Sequence, residues 1–196
     1  MSNPDFVAHE NAPGPRRLRM EAADVSGKVN ADIQYIADRQ TIVNTVTAYS
    51  YCLDEGRWDD FFALYSDDVV FETTIPEMGT IVTHGKKVFR EIVFARYGKT
   101  STAVRRHTQG NVHVAEQTAT TAKVRSYMLI STIPAADKLQ LLTTGTYNAE
   151  LEKRQSRWLI TRWYIEVDAP LAKVAMPEGF SKEEIQWIPD PRQGAK

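Results

Sequence analysis

Near residue 100 the apolar period of the chain changes, and that change limits the fold more than any other feature. Downstream, four long segments follow one another: "RRHTQGNVHVAEQ", "TAKVRSYMLISTI", "LQLLTTGTYNAELEKR" and "RWLITRWYIEVDA". They are rich in Val, Ile, Thr and Tyr and are parted by short polar stretches, which predicts four strands joined as an antiparallel meander. Upstream the spacing is helical. In "ADIQYIADRQTIVNTVTAYSYCLDEG", Ile33, Ile36, Val43, Val46, Tyr49 and Leu53 recur at intervals that build one apolar face, and Gly56 closes the helix. "RWDDFFALYS" predicts a second, short helix, "DDVVFETT" a strand, and "PEMGTIVTHG" a turn and a strand. "KKVFREIVFARYG" predicts a third helix, with Val88, Phe89, Ile92 and Val93 together. Helices first and strands after predict an α+β domain. The helices lie on one face of a curved, mainly antiparallel sheet and close an apolar pocket.

At 196 residues, 42% hydrophobic and 25% charged, the chain is long enough for one domain with a sizeable core. Residues 1–29, with Pro, Gly and Arg but no period, are expected to form a flexible arm. The domain is expected over 30–169. An extension over 170–196, carrying Phe180 and Trp187, is expected to dock on the domain or on a neighbouring subunit. A net charge of −1 offers no bulk attraction to nucleic acid or to an anionic membrane. No apolar run approaches the ~20 residues a membrane span requires. The first twenty residues hold no apolar core of a secretory signal, so a cytoplasmic protein is expected. A single cysteine, Cys52, rules out an internal disulfide framework and reads as a buried packing residue.

Within "YSYCLDEGRW", Asp54 stands where a helix ends, and there the macrodipole disfavours negative charge. Either it is a solvated residue or another group holds it. Of the four histidines, His9 lies in the arm and His84 beside Gly85 in a turn. His107 and His113 share a strand and, by parity, a face, unless Gly110 marks a bulge. No HExxH-like spacing is present, and neither a metal nor a cofactor is expected. Alternation puts Val124, Ser126, Met128 and Ile130 on one face of their strand. It groups Thr143, Gly145, Tyr147 and Ala149 likewise. It also places Arg162 with Trp158, Ile160 and Tyr164. These faces carry few charges, as an apolar ligand cavity requires.

The stretch "CLDEGRWDDFFALYSDDVVFE", with the later "RRHTQGN" and the final "RWLITRWY", resembles the SnoaL-like branch of the NTF2-like superfamily over roughly Asp32 to Ala169. Within that branch it is most similar to Asp–His dyad lyases of the hexachlorocyclohexane dehydrochlorinase and bile-acid 7α-dehydratase kind. The resemblance implies a cone of curved sheet closed by N-terminal helices, with Asp54 and His107 as the catalytic pair. In such a pair the imidazole abstracts a proton, and the carboxylate fixes its tautomer and stabilises the imidazolium. Tyr49 falls on a position held by a cation in the dehydrochlorinase and by a tyrosine in the dehydratase. It is either a hydrogen-bond donor to the reacting group or a core residue. Arg162 falls on the final-strand arginine of the dehydrochlorinase. Tyr51, Trp58, Ser126, Met128, Tyr147 and Tyr164 complete the candidate substrate-binding set. The expected function is a cofactor-independent lyase, a dehydratase or dehydrohalogenase acting on a small hydrophobic molecule. The alternatives are an isomerase or cyclase on the same pair, a non-catalytic small-molecule binder, or the small subunit of a ring-hydroxylating dioxygenase. A homo-oligomer, trimeric or else dimeric, is expected. Its contact face is an outward apolar set of Tyr127, Leu129, Leu159, Trp163 and Ile165 with Arg125.

Overall fold

The computed structural model describes residues 33–97, 104–134, 138–169, 181 and 183–189. The predicted arm and most of the predicted extension lie outside these residues. Helix α1 (Ile33–Asp54) and the short α2 (Trp58–Ala63) lead into a hairpin of β1 (Tyr65–Ile75) and β2 (Gly79–His84). Helix α3 (Lys86–Tyr97) follows, then β3 (Val104–Gln117), β4 (Thr121–Ile133), β5 (Gln140–Arg154) and β6 (Arg157–Val167). A last short strand, β7 (Ile185–Ile188), comes from the C-terminal stretch.

The strands form one sheet in the order β3-β4-β5-β6-β1-β2-β7. The expected four-strand meander is its first half. Strand β6 then pairs in parallel with β1, and every other neighbour is antiparallel. The α+β layout is therefore an open, curved, mainly antiparallel sheet with the helices on its inner face. Register breaks in β1, β3, β4/β5 and β6 supply the bending, because each extra residue kinks its strand and increases the local twist. β1 starts earlier than its composition suggests. The Ile160 amide donates to the Leu64 carbonyl at 2.8 Å and Tyr65 pairs with Ile160, so sheet pairing takes residues that local propensity gives to α2.

Two glycines meet specific needs. Gly56, at φ 66°, takes the left-handed conformation that ends α1 just past Asp54. At Gly145 a Cβ would collide with the Glu166 carbonyl oxygen and come within 2.8 Å of Met128 Cε, so only glycine lets β5 pass there. The core runs from Ile42 and Val46 of α1 through Phe61 and Tyr65 to Trp163 and Ile160 of β6. The buried face of α1 differs from the expected one. Ile33 and Ile36 are exposed, and the stripe begins instead at Asp38. Its carboxylate accepts from Lys153 Nζ (2.8 and 2.9 Å), Trp158 Nε1 (3.0 Å) and Gln34 Nε2 (3.2 Å). Lys153 first, then the indole, hold this carboxyl below its ordinary range. Cys52 is buried and free, and burial pushes its thiol up.

Candidate active site

Asp54 is the last residue of α1, and both of its oxygens are used. Oδ2 accepts the backbone N–H of His107 at 2.7 Å, and Oδ1 meets His107 Nδ1 at 2.5 Å. The side chains are 8% and 2% exposed, so the pair is shielded from water. This arrangement answers the electrostatic problem of a carboxylate at a helix C-terminus, since two donors from β3 compensate what the helix dipole disfavours. An ionised carboxylate only accepts, so the proton between them belongs to Nδ1. In the neutral form of the ring, that tautomer has its lone pair on Nε2.

A clamp holds the two elements in this register. Gln109, two residues beyond His107 on the same face of β3, donates to the Val46 carbonyl (3.0 Å) and to Ser50 Oγ (2.9 Å) of α1. Its own Oε1 accepts from Ser126 Oγ of β4 at 3.2 Å. Ser50 lies one helical turn before Asp54, so the clamp sets where the carboxylate meets the ring.

His107 lines a cavity enclosed by α1, α3 and the inner face of the sheet. Its volume is about 80 Å³, counted as space open to the centres of water-sized spheres. Each water needs roughly 10–15 Å³ on that measure, so the space suits a ligand replacing about five to eight waters, roughly one or two fused rings. The wall is mostly apolar, with Phe71, Phe89, Met128, Ile130 and Ile165 among its residues. Its polar groups are His107, Arg96, two threonines (Thr73 and Thr83) and three tyrosines (Tyr49, Tyr97 and Tyr147). Tyr49 stacks on Trp163 at 4.5 Å and meets the His107 ring edge-on at 6.2 Å. Burial drives the hydroxyls of Tyr49 and Tyr147 well above the ordinary tyrosine range, so both stay neutral donors. The Tyr147 hydroxyl is buried without a well-formed hydrogen bond, although it lies close enough to Tyr49 to influence its ionisation. Among the described residues no group of three or more His, Cys, Asp or Glu is arranged to hold a metal ion.

Several expected site residues lie elsewhere. β6 carries a bulge, since Leu151 pairs with Ile160 but Glu150 with Arg162, leaving Thr161 as the extra residue. Beyond it the faces exchange. Trp163, Ile165 and Val167 turn inward, and Arg162 and Tyr164 turn to the outer face. Arg162 forms an ion pair with Glu72 of β1, and Tyr164 donates to Thr74 Oγ1 at 3.3 Å. The same exchange removes Trp163 and Ile165 from the outward apolar set. A bulge after Gly110, with Asn111 at φ 51°, likewise sends His113 opposite Arg125 and away from His107. Tyr51 is 67% exposed on the solvent side of α1. Trp58 packs edge-on against Phe61 and Phe94 outside the cavity, and Ser126 is engaged with Gln109 behind its wall. Of the candidates, His107, Tyr49, Met128 and Tyr147 line the cavity, and Asp54 stands directly behind His107. Residue patterns missed Arg96 and Tyr97. The signal was present, because Phe89, Ile92, Val93, Arg96 and Tyr97 continue one helical stripe.

Residues 34–164 match the SnoaL-like domain family, and the chain belongs to that family. Solved structures share the fold at low identity. A proposed scytalone dehydratase from Novosphingobium aromaticivorans DSM 12444 is 19% identical, with a TM-score of 0.58 over 76% of this chain and 97% of that one. The beta subunit of a proposed aromatic-ring-hydroxylating dioxygenase from the same organism is 14% identical, with a TM-score of 0.59 over 71% and 94%. ActVI-ORFA from Streptomyces coelicolor is 13% identical, with a TM-score of 0.58 over 67% and 98%. Among curated proteins no significant match is found. The NTF2-like cone is thus the fold of this chain, and chemistry has to be argued from its own residues.

Proposed function

We propose that the protein is a cofactor-independent lyase, of dehydratase or dehydrohalogenase type, acting on a small hydrophobic molecule with His107 as general base. The observation that carries this is the buried Asp54–His107 pair on the wall of an apolar cavity. A binding or assembly role does not require an imidazole with one nitrogen tied to a carboxylate and the other left to the cavity. Nε2 takes the proton from a substrate carbon, and the electron pair of that C–H bond forms the new double bond as the C–X bond breaks. Asp54 stabilises the imidazolium while it lasts. If X is hydroxyl, the proton on Nε2 passes to it and water leaves; if X is halide, the anion leaves and the proton goes to solvent. Tyr49, neutral and buried, offers a hydrogen bond to the oxygen or halogen that gathers charge. The elimination transfers no electrons to an acceptor, so it needs no redox partner.

The test is a panel of one- and two-ring compounds with an acidic C–H, incubated in heavy water and followed by NMR. Wild type is expected to exchange or eliminate at least one of them, and His107→Ala to lose this. Exchange with the double bond moved and nothing expelled would point to an isomerase. Compounds that bind yet keep their protium in wild type would turn the protein into a binding module.

A further inference from the structure

Arg96 is the only residue with a permanent charge among the described residues that line the cavity. It lies in the last turn of α3, where a cation also suits the helix dipole, so a bland account exists. Three observations go beyond it. Arg96 lies three and four residues past Val93 and Ile92, which line the same cavity, and is itself an exposed residue that lines the cavity from its solvent rim. Its guanidinium lies over the ring of Tyr97, 5.6 Å from the centroid, and that ring in turn meets the His107 ring at 6.2 Å. Arg96, Tyr97 and His107 are therefore consecutive along one side of the cavity. Finally, among the described residues no carboxylate is paired with Arg96, so its guanidinium is not already committed to an acidic partner.

Resting on the lyase reading, we infer that Arg96 is a specificity-determining residue: it holds an anionic oxygen substituent on an apolar ring ligand, at the cavity end beside Tyr97 and His107. No Asp or Glu lines the cavity among the described residues. Asp54, the nearby carboxylate, stands behind the imidazole with both oxygens already accepting hydrogen bonds. An anion entering there meets a guanidinium fork and tyrosine hydroxyls, with no opposed charge on the wall. Burial first of all disfavours ionisation of the Tyr49 hydroxyl, and the charge of Arg96 is a smaller influence in the opposite direction.

The probe is 2-naphthoate, with 2-naphthamide as its neutral match, titrated by calorimetry into wild type, Arg96→Met and Arg96→Lys. Wild type is expected to prefer the carboxylate by about fivefold or more, a preference that shrinks as salt rises. Arg96→Met is expected to abolish the preference by weakening naphthoate alone, while Arg96→Lys keeps part of it. Equal binding of the two compounds to wild type, an undiminished preference in Arg96→Met, or binding of neither compound would overturn the assignment. None of these measurements uses turnover. A lyase without anion preference would thus fail this proposal and leave the general-base reading standing, and the converse would do the opposite.

Discussion

Replacing Asp54 by asparagine isolates the carboxylate's charge, because shape and volume barely change. In the native pair Oδ2 takes the His107 amide and Oδ1 takes the proton on Nδ1. An amide can satisfy one of these and not the other. If its oxygen keeps the backbone N–H, its NH₂ faces Nδ1, which must then accept, and the proton moves to Nε2. If its oxygen faces Nδ1–H, its NH₂ opposes the backbone N–H and leaves a buried donor unmatched, at about 1–3 kcal/mol. The first arrangement is favoured, and it removes the lone pair a base needs. Loss of general-base catalysis is expected to slow turnover by about 10²–10⁴-fold, or roughly 3–5 kcal/mol in the barrier. Stability is expected to change by only about 1–2 kcal/mol in either direction, because losing two charge-assisted hydrogen bonds is offset by relief of a desolvated charge. Nitrogen NMR of the His107 ring reads the tautomer, heavy-water exchange reads the rate, and thermal unfolding reads stability. Wild-type turnover in Asp54→Asn would make Asp54 a bland helix-end residue. Unfolding of Asp54→Asn alongside a folded His107→Ala would make the carboxylate structural and remove the dyad.

Asp38→Asn is expected to lose about 1–3 kcal/mol at neutral pH in urea unfolding, since Lys153, Trp158 and Gln34 all bond its carboxylate. Its folded-state carboxyl titrates below the unfolded value of about 3.9, so the native contribution is complete above that pH and lost as the pH falls below it. The variant should therefore show a weaker loss of stability on acidification, and an unchanged acid dependence would contradict this. Gln109→Ala is expected to lower kcat with little change in KM and to shift the Nδ1 proton resonance of His107, whose ring Asp54 holds. Loss of stability with both readouts intact would make Gln109 a simple tie between α1 and β3. We also propose a homo-oligomer, trimeric or else dimeric, seated on the outer sheet face where Tyr127 and Leu129 are 57% and 41% exposed. Light scattering at the 22.2 kDa of one chain would count against it.

What was legible in the residues follows from how each signal is encoded. The change of period announced the helices and the meander, because binary patterning reports secondary structure directly. Alternation within β4 and β5 placed Met128, Ile130, Gly145 and Tyr147 on the inner face, because neither strand bulges between Val124 and Ile130 or between Thr143 and Ala149. Asp54 was conspicuous through a local conflict between its charge and the helix end. Its answer, His107, is fifty-three residues away, and only the family resemblance linked the two. Gln109 carried no such conflict. A glutamine in a strand is unremarkable until the helix it clamps is known.

The misplaced cation shows where such reading stops. A bulge changes the face of every later residue in its strand, while adding one residue that looks like its neighbours. In β3 the bulge has a visible cause, Gly110 followed by Asn111 at positive φ. In β6 the extra residue is Thr161, which any strand accepts, and nothing in "LITRWY" marks it. Parity therefore carried Arg162 into the cavity and Trp163 out of it, whereas the fold does the reverse. Burial favours the observed choice on physical grounds. Trp163 contributes a large apolar surface stacked on Tyr49, and Arg162 finds Glu72 on the outer face, so each side chain meets the partner that compensates its desolvation. Among the described residues the cavity wall is then left with one guanidinium, and it comes from α3, where the helical stripe has no bulge to disturb it.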